Sequence, residues 1–124
     1  MKHDKLYALK ISTDGVLSVL PWPEEEDREL RFLQDEVGGL FLQHIRYLCL
    51  EGTKNMQLLE NAEGKLDRLP LNSIATGLMV PEQRRAVYGN TLLVKKAGAV
   101  DTGMTMEEAS RIIDRINMAV IETA

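Results

Sequence analysis

Asn61-Ala62-Glu63-Gly64-Lys65-Leu66-Asp67-Arg68-Leu69-Pro70-Leu71-Asn72 sets a glycine turn, a proline and a helix-capping asparagine between two apolar segments. The stretch reads as strand, turn and helix start. Proline lacks a backbone donor and keeps the residue before it extended. An asparagine ahead of a helix accepts a hydrogen bond from one of its first free N–H groups. Met56 to Glu60 upstream is then a strand, and a short helix downstream carries Ile74, Ala75 and Leu78.

Moving toward the N-terminus, Leu40 to Leu50 is apolar on both parities, which predicts a strand placed centrally in a sheet with Cys49 as a small buried hydrophobe. Before it, Glu24 to Asp27 crowd a first helical turn, where carboxylates favour the helix dipole. Leu30, Leu33 and Val37 follow at helical spacing, and Gly38-Gly39 ends the helix. Tyr7, Leu9 and Ile11 alternate with Ala8 and Lys10, and Asp14-Gly15 supplies a turn, so Leu6 to Leu20 reads as a β-hairpin. Pro21 and Pro23 stop its second strand.

Toward the C-terminus, residues 81–88 are polar, Thr91 to Val94 is a final short strand, and Lys95-Lys96 with Gly98 to Gly103 reads as a linker. Thr105 to Glu108 is a capping box, and Ala109, Ile112, Ile113, Ile116 and Val120 share one face of the helix it opens. That stripe requires cover, from its own sheet or from a partner subunit. The expectation is one α+β fold: a small, mostly antiparallel sheet of about five strands with three helices. Residues 1–97 form the body, and 98–124 a linker and amphipathic helix. Ile112, Ile113, Ile116 and Val120 are the expected interface of a homo-oligomer.

The chain has 124 residues and a net charge of −4. An acidic balance argues against a broad duplex-binding surface, which depends on clustered Lys and Arg releasing counterions from phosphates. A lone cysteine precludes an internal disulfide, which fits a reducing cytosol. Residues 1–11 carry Lys2, Asp4, Lys5 and Lys10 and lack the apolar core of a secretory signal. No stretch approaches the ~18 apolar residues of a membrane span. A cytoplasmic protein with no membrane segment is expected.

For chemistry, Lys65 in the glycine turn, Asn72, Arg84 and Arg85 are the candidate ligand-binding residues. Guanidinium forks suit phosphates, and Arg68, Lys95 and Lys96 stand close enough in sequence to join an anion site. The turn lacks the spacing of a phosphate loop. His44 and Cys49 fall on opposite parities of one strand, which argues against a His–Cys pair. No catalytic set, cofactor motif or metal-ligand spacing is present.

Val37-Gly38-Gly39-Leu40, Asn61-Ala62-Glu63-Gly64-Lys65-Leu66, Leu69-Pro70-Leu71-Asn72 and Gly89-Asn90 occur in an order that resembles a small uncharacterised domain of phages and other mobile elements, over about residues 6–97. Ala62 stands where that family more often has Glu. The resemblance implies a hairpin, a short helix ending in Gly-Gly, and an accessory protein working in the bacterial cytosol. It carries no activity. The expected function is non-enzymatic binding of a host protein or defence component. The alternatives are a homo-oligomeric sponge for a nucleotide-type small molecule, and a small hydrolytic enzyme.

Overall fold

The computed structural model describes residues 5–123, with side chains through residue 119. Its strands are β1 (Tyr7–Ile11), β2 (Leu17–Pro21), β3 (Leu42–Ile45), β4 (Met56–Asn61), β5 (Thr91–Ala97) and β6 (Val100–Thr102). Its α-helices are α1 (Glu29–Val37), α2 (Ser73–Leu78) and α3 (Met106–Thr123). All pairings are antiparallel, in the order β2-β1-β5-β4-β3. The first half of β5 pairs with β1, and its second half, Lys95 to Ala97, with β6. The α+β reading is correct, with six strands.

Period-two alternation explains the layers. Val19, Leu9, Leu93, Leu58 and Ile45 stand opposite one another across successive strands and pack with Ala75 and Leu78 of α2 and Ala109, Ile112 and Ile116 of α3. Ala8, Leu92, Val94 and Leu59 occupy the other face, under Leu33 and Val37 of α1 and Trp22. A strand buried on both faces reads as a nearly continuous apolar run, and β5 begins Thr-Leu-Leu-Val, all four buried, with the Thr91 hydroxyl donated to Ile11 O. Each buried leucine stabilises by roughly 2 kcal/mol relative to exposure.

Several expectations change. β5, read as a final short strand, is the centre of the sheet, and β3, read as central, is a four-residue edge. After Ile45 the chain leaves the ladder, and residues 47–49 bond instead to 78–80, through Cys49 N–H to Leu78 O and Val80 N–H to Tyr47 O. With the period of two lost, Cys49 is exposed rather than buried. Leu30 likewise points to solvent, since α1 buries only Leu33 and Val37. The expected linker is a β5–β6 hairpin turning at Gly98-Ala99. Ile112 and Ile116 are buried in the chain's own core and Ile113 packs against it, so these three are not a free subunit interface; the Val120 side chain lies outside the described residues. Among the described residues no helix is long and apolar enough to cross a membrane.

The helix ends follow the local chemistry. Gly38 closes α1 at φ +84°, the left-handed region that glycine enters without a Cβ clash. At α3, Thr105 N–H donates to Glu108 Oε1 at 3.0 Å and Glu108 N–H to Thr105 Oγ1 at 3.1 Å, as the capping box requires. Burial pushes the Glu108 carboxyl up, but the Thr105 N–H and then the Lys95 ammonium, 2.9 Å away, outweigh it and hold the group below its ordinary value. A depressed folded-state pKa gives stability that is present above the unfolded value and lost as pH falls through the folded one. Acid unfolding followed by circular dichroism is therefore expected to cost Glu108→Gln less than wild type over that window; equal losses would dismiss the linkage.

Candidate functional site

The four motifs quoted above converge in space. Asn61, at the end of β4, is buried, and its Oδ1 accepts from Glu63 N–H at 2.8 Å. Its Nδ2 donates to Gly38 O at 3.3 Å and Asp67 Oδ2 at 3.4 Å. One asparagine thus closes its own turn and ties it to the end of α1. Gly64 lies against the backbone of Tyr88, where a Cβ would come within 2.5 Å of Tyr88 O, so glycine is required there by space. Further along, Gly89 N–H donates to Pro70 O and Asn72 N–H to Val87 O.

Asn72 completes this arrangement. It is fully buried. Its Oδ1 caps α2 by accepting from Ala75 N–H at 3.0 Å, while Nδ2 donates to Ile11 O at 2.8 Å and Gly89 O at 3.0 Å. Both Nδ2 hydrogens are donated within the fold and the side chain is shut off from solvent, so Asn72 acts here as a structural tie. Arg84 is exposed and commits one of its guanidinium nitrogens to the fold. Its Nη2 donates to Gly77 O at 3.1 Å and Met79 O at 2.9 Å, securing the end of α2.

Lys65 and Arg85 do come together. With Gln43, Glu60, Asn61, Ala62, Gly64, Ala86 and Tyr88 they line a cleft of about 280 Å³ beside β3 and β4. Its floor holds Glu60, only 4 % exposed. Arg85 Nη1 donates to Glu60 Oε1 at 3.0 Å and Nη2 donates to Oε2, a two-pronged pair. The hydrogen bond to Glu60 raises the Arg85 pKa above its ordinary value. Lys65 forms no ion pair among the described residues. Leu66 next to it is 81 % exposed, and Leu71, bridged to Tyr88, is also exposed. The cleft therefore offers one available ammonium and a guanidinium with two prongs committed.

Of the other three cations, Arg68 forms no ion pair among the described residues, while the two lysines are engaged elsewhere. Lys95 pairs with Glu108, and Lys96 with Asp101 at 2.8 Å. Asp101 also lies 3.0 Å from His44 Nε2, so His44 faces a carboxylate and not Cys49. Among the described residues no group of three or more His, Cys, Asp and Glu side chains is placed to hold a metal ion. A wider groove of about 840 Å³ runs past Tyr7, Pro21, Trp22 and Glu29, where Trp22 Nε1–H donates to Glu29 Oε1 at 3.1 Å.

Glu60 is the site residue that the sequence reading passed over, and a signal for it existed. Met56, Leu58 and Glu60 share one parity of β4, so an acid stands in an inward-facing series and needs a partner. Comparison of the chain with protein-family models, curated proteins and solved structures returned no match.

Proposed function

We propose that this chain is a non-enzymatic binding protein and, following the resemblance of residues 6–97, an accessory protein of a phage or mobile element that docks onto a host protein or defence component. The observation that carries the reading is the cleft wall, where Lys65, without an ion pair among the described residues, is followed in sequence by exposed Leu66. An exposed apolar side chain next in sequence to a cation suits a protein surface presenting a carboxylate next to an apolar side chain. The asparagines and glycines of the resemblance act as glue for this corner of the fold, which supports a scaffold that presents a surface.

The cleft favours a second reading, a sponge for a small nucleotide-type anion, since its volume lies at the lower end of ordinary ligand sites. Lys65→Glu and Leu66→Glu separate the two. Both residues are exposed, so both variants are expected to keep the wild-type urea midpoint. Pull-down from a bacterial lysate is expected to lose its captured protein with either variant. Native mass spectrometry after exposure to a metabolite extract would instead show an adduct, lost in Lys65→Glu and kept in Arg84→Glu, if the sponge reading is right. Capture unaffected by both variants, or a turnover that tracks defined residues, would overturn the docking proposal.

A further inference from the structure

The wider groove past Trp22 shares no lining residue with the cleft. Its volume of about 840 Å³ falls within the range of ordinary binding sites, which combine apolar walls with a few polar groups. Tyr7, Pro21, Trp22 and Pro23 supply rings to its walls, and Glu24 and Glu29 supply carboxylates. The backbone there has little to give a ligand. Tyr7 donates its N–H to Met104 O and accepts at its own carbonyl from Met104 N–H, Trp22 N–H goes to Leu6 O, and the two prolines have no N–H. An added β-strand, which is recognised through main-chain hydrogen bonds, is therefore a poor occupant.

Those walls suit a segment that brings its own rings and asks for no backbone pairing. A polyproline II helix has no internal hydrogen bonds, is preformed, and docks its prolines into aromatic-lined grooves by side-chain packing. The groove is also preorganised. Glu29 Oε1 accepts from Trp22 Nε1–H at 3.1 Å, and Phe32 meets the indole edge to face with ring centroids 5.8 Å apart. Charge then selects the sign of the ligand. Residues 24–29 hold five acids and one cation, Arg28, which is paired with Glu25. Glu24 and Glu29 form no ion pair among the described residues. Lys5 is the one cation in the lining, against these two carboxylates, so a basic side chain carried beside a proline complements the wall.

We infer that this groove binds a proline-rich segment carrying a basic residue, with its prolines against the rings and its charge toward Glu24 and Glu29. Trp22 is the chain's single tryptophan, so its fluorescence reports on the groove directly. A synthetic peptide of about ten residues, prolines with two arginines and ~31 Å long as polyproline II, is expected to shift that fluorescence saturably. The dissociation constant should be roughly 100 µM, as suits a small transient contact. Glu24→Gln combined with Glu29→Gln removes both charges while a glutamine carbonyl still accepts from the indole N–H. It is expected to raise the constant about tenfold and leave the urea midpoint in place. Lys65→Glu is expected to leave the titration unchanged, so the cleft reading can fail without this one. Absence of a fluorescence shift, equal affinity for a glycine–serine peptide bearing the same arginines, or a titration indifferent to the two glutamines would each overturn the inference. An equally strong response to tetramethylammonium alone would overturn it too, by assigning the groove to a small cation.

Discussion

Asn72→Ala is expected to destabilise the fold by about 3 kcal/mol, counting roughly 1 for the lost helix cap and about 2 for a buried carbonyl left without its donor. The side chain joins three segments distant in sequence: the end of β1 through Ile11 O, the loop before β5 through Gly89 O, and the first turn of α2 through Ala75 N–H. The losses are unequal. Ile11 O keeps the Thr91 hydroxyl at 3.2 Å, whereas Gly89 O has no second donor among the described residues. Asn72→Ser retains an acceptor for the cap and gives up both donations, so it should fall between wild type and alanine. Asn72→Asp keeps the cap but turns a carboxylate toward two carbonyl oxygens in a buried site, and should be the worst of the three. Urea unfolding ranks them. A loss below about 1 kcal/mol for alanine, or aspartate equal to wild type, would show that the three segments hold together without this side chain.

Much of the local structure was legible because its causes are local. The β1–β2 hairpin, the Gly38 end of α1, the Asn72 cap and the Thr105–Glu108 capping box each depend on residues within a few positions of one another. The sheet order was not legible for the converse reason. Leu40 to Leu50 is as apolar as Thr91 to Val94, yet β5 gains partners on both sides while β3 has one, and the partners lie dozens of residues away. Apolar content alone does not separate a central strand from an edge whose flanks are exposed. Lys95 and Lys96 read as a linker because charge suggests solvent; in the fold their amides extend β5 while their ammonium groups meet Glu108 and Asp101. The candidate site shows the same division. Lys65 and Arg85 stood out as cations, but the residue that decides what Arg85 does is Glu60, on β4, 25 residues earlier in the chain.

That dependence gives a second large expected effect. Arg85→Ala leaves the Glu60 carboxylate in the floor of the cleft without its partner. Removing one member of a buried pair costs about 3–5 kcal/mol, but the Arg85 side chain is 47 % exposed and water reaches the pair, so about 2 kcal/mol is the appropriate scale. Arg85→Lys keeps the charge and loses the fork, and should cost about half as much. The decisive comparison is with Glu60→Gln. In the Arg85→Ala background it removes the stranded charge, so the double variant should recover most of the loss, a coupling that a double-mutant cycle reads directly. Because Glu60 raises the Arg85 pKa, arginine's share of the stability is complete at neutral pH and is lost only as pH rises through its folded-state value, far into alkali. The Arg85→Ala cost should therefore be flat between neutral and mildly basic buffers. If Arg85→Ala proved nearly free, the guanidinium would be available to a ligand, and the anion-sponge reading would gain at the expense of the docking surface. If the cost and its rescue are both found, Arg85 is the wall of the cleft and Lys65 is the charge it presents.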